Sequence, residues 1–478
     1  MTARVKRGST LVQTLDGFPL QIADNFNRLS GVSALKSSSG NGYTLFLNSA
    51  TGRAYTQSVG TTGSTSLITD GALVADKKIA AGTFGAVSVR DSTVFFFTGT
   101  QSLNRNAGSP ITTPPMIDTL AQTVTVGTKD GKAVRLSLQG TTLEVISSTT
   151  VSAQPIVSLA GSLVVARDKA VLGSTTWTFG SLKVKAAVAT GKASGWVGAA
   201  LTETAEALLF YSDGTMKTVR VSATDSISTA PVIAEIEHRG GLVLLVSAGN
   251  TLYGYNEQGA LVTNFPINAG SQITGCPIVT DIDGDTFEEI LVTTAAGKLI
   301  AFNRFGEKLF SLAVAKNTES SPTVVPVPNG DGLYLFSIDR AGLLQGYHLP
   351  KASKNVQWSS LYSGSLNRNS YNPETSANRT PVTFTDMMPE KSVYNWPNPA
   401  REETRFRFYL TKPASVTIKV FDLTGVKVWE KSVQASANLD NEVPWTLSNV
   451  QSGIYYGVVT AKANGKSQVV KLKIAIAK

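Results

Sequence analysis

Residues 264–303 read NFPINAGSQITGCPIVTDIDGDTFEEILVTTAAGKLIAFN. Three short apolar runs, CPIVT, EEILVTT and GKLIAFN, alternate with a polar acidic loop and a Gly-containing turn. Runs this short, rich in Val, Ile and Thr and bounded by Gly, Asp and Asn, read as strands rather than helices. The stretch 17–56, GFPLQIADNFNRLSGVSALKSSSGNGYTLFLNSATGRAYT, repeats the same order. Both have a Phe-Pro entry, a polar loop, a strand, a turn, a strand and a Gly hairpin. One unit thus recurs at opposite ends of a long region, which is the signature of a repeat architecture.

The turn forms recur between those ends. SATGRAY, TKDGKAV, YSDGTMK, SAGNTLY, TAAGKLI and DRAGLLQ each take an apolar strand into a Gly-containing turn and out again. Pro115, Pro155, Pro231, Pro277 and Pro322 each precede an apolar run, at gaps of 40, 76, 46 and 45 residues. A gap of 76 spans two units. A period near 40–45 with hairpins inside each unit predicts propeller blades, about eight across residues 1–370. Solenoid repeats are usually shorter and tandem sandwiches longer. If residues 9–15 form the last strand of a ring-closing blade, the ring has no exposed edge.

The chain has 478 residues, 42 % hydrophobic and 16 % charged, so a packed core is expected and disorder is not. Its net charge of +9 is uneven. Residues 394–478 hold 12 Lys and Arg against 6 Asp and Glu. The lysines stand singly on alternating strands, as Lys471 and Lys473 do, which reads as a solvated strand face and not as a nucleic-acid surface. The single cysteine, Cys276, lies in an apolar run and reads as a buried thiol. No apolar stretch reaches the 18 residues a membrane helix needs. The first residues lack the apolar core of a secretory signal, and their mid-blade start leads us to expect an intact protein that extends further.

The acidic loop follows a hard-cation pattern. Asp281, Asp283 and Asp285 take positions 1, 3 and 5, Phe287 offers a main-chain carbonyl at 7, Glu289 closes at 9, and Gly284 permits the sharp turn. An EF-hand would need Gly at position 6 and helical flanks. This blade resembles the FG-GAP/VCBS repeats of integrin-like propellers. The resemblance implies one structural calcium ion on Asp281, Asp283, Asp285, Phe287 and Glu289. Thr286 departs from the usual Gly. The stretch 329–332, NGDG, looks like a decayed copy in which Val327 and Leu335 replace the outer acids.

Residues 371–393, with interrupting Pro and polar positions, read as a linker. Asn378-Arg379-Thr380 within it matches the glycosylation pattern. Residues 394–478 alternate cleanly as strands 405–410, 415–421, 426–429, 454–460 and 468–476, with turns at Gly425, Gly453 and Gly465. Five to seven such strands make a small Ig-like sandwich. The matching residues Pro397-Asn398-Pro399-Ala400, Leu410, Pro413-Ala414, Val416-Thr417-Ile418, the stretch 421–425, Leu447, the stretch 453–455 and Val470-Lys471-Leu472 closely resemble the C-terminal sorting domain of type IX secretion cargo from Bacteroidota and relatives. That resemblance implies contact with the type IX machinery, export across the outer membrane, and an extracellular or outer-membrane-surface location. Residues 358–372, WSSLYSGSLNRNSYN, also resemble the closing motif of propellers in such secreted proteins.

The expected fold is therefore all-β: a seven- or eight-bladed β-propeller over 1–370, a linker over 371–393 and a small Ig-like β-sandwich over 394–478. Only His238 and His348 are present, with no nucleophile, zinc or phosphate-loop motif, so we expect no enzyme activity. The expected role is adhesion or binding of a surface ligand, glycan or protein. The alternatives are an accessory region of a larger secreted hydrolase with its catalytic domain upstream, and a quinoprotein-like propeller enzyme.

Overall fold

The computed structural model describes all residues except 1, 8–9, 23, 25, 27–31, 37–41, 52, 60–64, 70–76, 98–101, 140, 193, 237–240, 285–286, 315–319, 329, 355, 372–385, 397 and 438–439. The chain divides into two compact units, Met1–Arg379 and Thr380–Lys478. Among the described residues, no helix is long and apolar enough to cross a membrane.

In the first unit the described residues form eight antiparallel sheets. In seven of them four consecutive strands follow chain order, and one of the seven, blade 7, carries a fifth strand on its inner edge. Blades 1 to 7 occupy residues 32–69, 80–106, 116–150, 156–178, 184–220, 232–268 and 278–313. Blade 8 takes three strands from 323–349 and adds Thr10–Gln21, whose residues Gly17–Gln21 pair antiparallel with Leu343–Tyr347, while Thr2–Arg7 pairs with Thr10–Asp16 as a fifth strand. Eight blades are therefore present among the described residues, and the last of them joins strands from the start of the unit to strands more than 300 residues later. Beyond the strand, the Ile22 N–H donates to Gly342 O at 2.9 Å and the Phe26 N–H to Arg340 O at 3.0 Å. Gly342 sits at φ +85°, and a Cβ there would lie 2.1 Å from the Ile22 carbonyl. Only glycine fits this close approach.

Local sequence explains the blades. Pro115, Pro155, Pro231, Pro277 and Pro322 each stand directly before the first strand of a blade (blades 3, 4, 6, 7 and 8). Proline cannot donate to a ladder, so it is tolerated where a strand begins. The 76-residue gap spans blades 4 and 5, because the first strand of blade 5, Val184–Ala189, follows Lys183 instead. Five of the six Gly hairpins join the second and third strands of a blade; YSDGTMK joins the third and fourth strands of blade 5. The Phe-Pro entries at 18–19 and 265–266 both mark a blade's fourth strand, which is why the two copies look alike.

The first strands of neighbouring blades touch one another and form the ring's interior. One further segment, 356–371, runs among them. Val356–Trp358 pairs with Ile278–Thr280 of blade 7. The Val324 N–H donates to Ser359 O, Ala81 to Ser365 O, Ile117 to Leu366 O, Gly161 to Arg368 O and Ala189 to Asn369 O, at 2.7–3.1 Å. Gln357 clasps the backbone of Glu235 in blade 6 through both ends of its amide. The segment thus bonds to blades 2 to 8. Four of its non-glycine residues, Tyr362, Ser363, Asn367 and Asn369, lie at positive φ, an uncommon conformation held here by these bonds.

Lys78, fully buried at the entry to blade 2, anchors the same segment. Its ammonium donates to Ser360 Oγ at 2.8 Å and to the carbonyls of Leu361 and Gly364 at 2.7 Å each. Three donors meet three acceptors, the full capacity of an ammonium.

The second unit is a seven-stranded sandwich. Tyr394–Trp396, Glu403–Tyr409 and Asp440–Thr446 form one sheet; Lys427–Ala435, Ala414–Phe421, Gly453–Ala463 and Lys466–Ile476 form the other. Its core gathers Phe406, Trp429, Trp445 and Tyr455, with ring centroids 5.6–6.2 Å apart. Five strands follow the alternation read from sequence. Asp440–Thr446 escapes that reading because Pro444 interrupts it, and it is tolerated because this strand is a sheet edge. The linker boundaries need correcting at both ends. Tyr371 is buried in the propeller core, and Met388 and Val393 are buried in the sandwich core. The middle of the expected linker, with Asn378–Thr380, lies outside the described residues.

Replacing Lys78 with methionine should destabilise the first unit by roughly 3 kcal/mol despite the apolar side chain, because three buried acceptors lose their donor at about 1–3 kcal/mol each and relief of the ammonium's desolvation offsets part of that. Burial also pulls the Lys78 ammonium down from 10.5 to about 7. Between those values the unfolded chain holds a proton that the folded protein has released, so this group's contribution to stability rises with pH across that window and is flat below it. Denaturant titrations from pH 6 to 10 should show that rise in the parent chain and lack it in Lys78→Met; parallel profiles would refute the assignment.

Candidate functional site

The acidic loop joins the first and second strands of blade 7, Ile278–Thr280 and Glu289–Thr294. Thr280 and Glu289 face each other across the ladder, so Glu289 stands at the loop's root. Its Oε2 accepts the Ile282 N–H at 2.9 Å, and Asp281 Oδ1 accepts the Gly284 N–H at 2.7 Å. The Asp281 carbonyl in turn accepts the Ser353 N–H at 2.8 Å. Gly284 is at φ +78°, where a Cβ would lie 2.6 Å from the Lys351 carbonyl. These bonds draw the carboxylates of Asp281, Asp283 and Glu289 together, with one oxygen from each within 4.8 Å of the others. The three residues are 3 %, 9 % and 1 % exposed.

The spacing suits one hard cation. Oxygens bound at about 2.3–2.6 Å to a shared ion lie no more than about twice that distance apart. Buried carboxylates this close repel one another unless a cation or protons intervene. Asp285 lies outside the described residues. Phe287 is buried, and the Arg304 guanidinium lies 3.6 Å from the centre of its ring. Glu288, fully buried, is a neighbour the sequence reading passed over. The decayed copy does not join the cluster: Gly332 makes a left-handed turn at φ +83°, and Asn329 lies outside the described residues.

A second feature sits where segment 356–371 meets the ring. A cavity of about 240 Å³ opens between it and blades 3 to 8. Ser158, Thr229, Tyr362, Asn367, Asn369 and Lys185 stand in its lining. Cys276 also reaches it, buried as expected, with its thiol pushed up to about 12 by desolvation. A thiol held so far in its neutral form is a poor nucleophile. Of the two histidines, His238 lies outside the described residues, and the ring Nε2 of His348 contacts Asp331 O at 3.0 Å on the strand Leu343–Leu349.

In the second unit Asn398 and Ala400 have a structural task. Asn398 Nδ2 donates to Lys473 O at 3.0 Å, and its Oδ1 accepts the Ala475 N–H at 2.8 Å. Ala400 continues the same zipper, exchanging backbone bonds with Ala475 and Ala477. The stretch thereby docks the start of the sandwich onto its last strand. Asp422 caps the Gly425 hairpin by accepting the Thr424 hydroxyl and the N–H groups of Val426 and Thr424, and these bonds, the hydroxyl's first, hold its carboxyl below the usual range. Lys471 and Lys473 are exposed on the edge strand, a solvated face as read from the sequence.

Residues 394–475 match the family described as the secretion system C-terminal sorting domain. No curated protein matches the chain significantly in sequence. Among solved structures, Sqt1 of Saccharomyces cerevisiae superposes with a TM-score of 0.54 at 14 % identity, covering 70 % of this chain and 98 % of its own. Sqt1 of Chaetomium thermophilum gives 0.49 at 11 %, covering 68 % and 97 %. BamB from Moraxella catarrhalis gives 0.35 at 15 %, covering 57 % and 94 %. At such identities the first of these speaks to fold alone. The chain thus carries a type IX secretion sorting domain behind an eight-bladed propeller, and this tail marks it as a protein delivered to the cell exterior or the outer-membrane surface.

Proposed function

We propose that this chain is a non-catalytic surface protein whose propeller binds an extracellular ligand after type IX export. The sorting-domain match over 394–475 carries this reading. The propeller is the cargo, and the cavity beside segment 356–371 mixes hydroxyls, amides and a lysine with apolar side chains. A quinoprotein-like enzyme would need an acid, an arginine and a stacking aromatic converging on the ring centre. Among its described lining residues the cavity has neither the acid nor the arginine, which favours binding over that chemistry. Export is tested by adding a Sec signal to the full chain and to a version ending at Arg379, in a type IX-competent host. The full chain should reach the surface, and the shortened one should stay in the periplasm. Equal periplasmic retention of both would overturn the export reading.

Calcium at the blade 7 loop belongs to the same proposal. Asp281, Asp283, Asp285 and Glu289 would supply carboxylate oxygens and Phe287 its carbonyl, in the manner of FG-GAP/VCBS repeats. A bound ion would neutralise the buried acids and lock the loop, with no part in a reaction. Loss of one ligand typically costs about 1–3 kcal/mol of stability in the ion-bound state. Chelation should therefore lower the unfolding midpoint of the parent chain, and Asp281→Asn/Asp283→Asn should abolish that dependence on calcium. A midpoint indifferent to calcium in the parent would refute the site.

A further inference from the structure

Segment 356–371 alternates as it passes blades 4 and 5. Asn367 and Asn369 are buried and bond through their amide nitrogens to the surrounding blades, whereas Arg368 between them is exposed. The backbone here is fixed from both sides. Arg368 O accepts the Gly161 N–H of blade 4 at 2.7 Å, and Asn369 O accepts the Ala189 N–H of blade 5 at 3.1 Å. Arg368 thus stands where these two blades meet the segment. A cleft of about 550 Å³ opens there, walled by the turns at 161–162 and 173–174 of blade 4 and 191–192 of blade 5. Each of these turns follows a first or third strand, so all lie at the same end of their antiparallel blades. Arg368 and Lys192 both line the cleft and are exposed, and neither side chain has a hydrogen bond or ion pair among the described residues. The described lining holds no acid. Asp213, next to the lining residue Ser212, turns its carboxylate onto its own hairpin, accepting the Thr215 hydroxyl at 2.7 Å and N–H at 2.9 Å.

We propose that this cleft binds an acidic saccharide through its oxyanion group, a carboxylate or a sulfate ester. The proposal rests on the exported-binding-protein reading and names its ligand class. Charge comes first. A cationic ligand would meet two like charges, and a neutral one would leave both unmatched. An oxyanion complements both, and the planar guanidinium of an arginine matches two of its oxygens at once. Hydroxyls come next. Ser162, Ser174 and Thr175 line the cleft, are at least partly exposed, and make no side-chain hydrogen bond among the described residues. A hydroxyl both donates and accepts, which suits the hydroxyls of a sugar. Size points past a bare ion. The cleft's volume of about 550 Å³ lies within the range of small-molecule sites, about 300–1,000 Å³.

The test is an NMR titration of the full chain with galacturonate, glucuronate and galactose 6-sulfate. Galactose and glucose serve as neutral parents, galactosamine as the cationic probe and inorganic sulfate as the bare ion. At least one acidic sugar should bind at least about tenfold tighter than its neutral parent, the scale of one hydrogen bond to a charged group. Whether the uronates or the sulfated sugar lead tells which oxyanion the cleft takes. Binding should fade as salt rises from about 0.1 to about 1 M, because screening cuts the reach of exposed charges from about 10 Å to about 3 Å. Arg368→Gln and Lys192→Gln should each weaken binding about tenfold with the unfolding midpoint unchanged, since both side chains are exposed. Silence from every acidic sugar, a neutral parent or galactosamine bound as tightly, inorganic sulfate bound as tightly as the sugars, or full binding by both variants would overturn the proposal. Both variants keep the sorting tail. Lost binding with intact export therefore strikes this site alone, and lost export with intact binding strikes the export reading alone.

Discussion

The amides of Ala81, Ile117, Gly161, Ala189 and Val324 belong to five different blades, yet all donate to carbonyls of the same segment, 356–371. A propeller's first strands crowd its centre, where their inner edges would otherwise present unpaired backbone groups. Here one stretch of chain satisfies them and is itself bent into left-handed conformations by doing so. The buried Lys78 reinforces the arrangement from blade 2. Ring closure through Gly17–Gln21 and Leu343–Tyr347 then holds the circle at its seam. These two devices, one central and one at the rim, turn eight weakly similar sheets into a single unit.

The same segment shapes the chemistry. Asn367 and Asn369 face blades 2 to 5 with their nitrogens and so tie the segment to four blades through side chains as well. The blade 7 loop works differently. Its acids are gathered by backbone N–H groups of Ile282 and Gly284, within one local turn. A cluster built wholly from one loop suits a structural ion.

Much of the fold was legible because it follows local rules. Proline marks the entry to five blades, and Gly turns mark their hairpins. The sandwich alternates cleanly except where Pro444 breaks the pattern at an edge. The clustering of Asp281, Asp283 and Glu289 was readable, since the three are close in sequence. The central segment was not. Residues 358–372 carried only a closing motif, and nothing in WSSLYSGSLNRNSYN shows partners nearly 300 residues away. Lys78, in DKKIAAG, reads as a surface lysine until the ring closes around it.

The account's central claim is that segment 356–371 is an integral part of the ring and not a tail resting on it. Native-state hydrogen exchange on the full chain tests this most directly. The amides of Ala81, Ile117, Gly161, Ala189 and Val324 should exchange only with global unfolding of the first unit, as slowly as those within the blade strands. Exchange of these five amides at loop rates, while the blade strands stay protected, would contradict it.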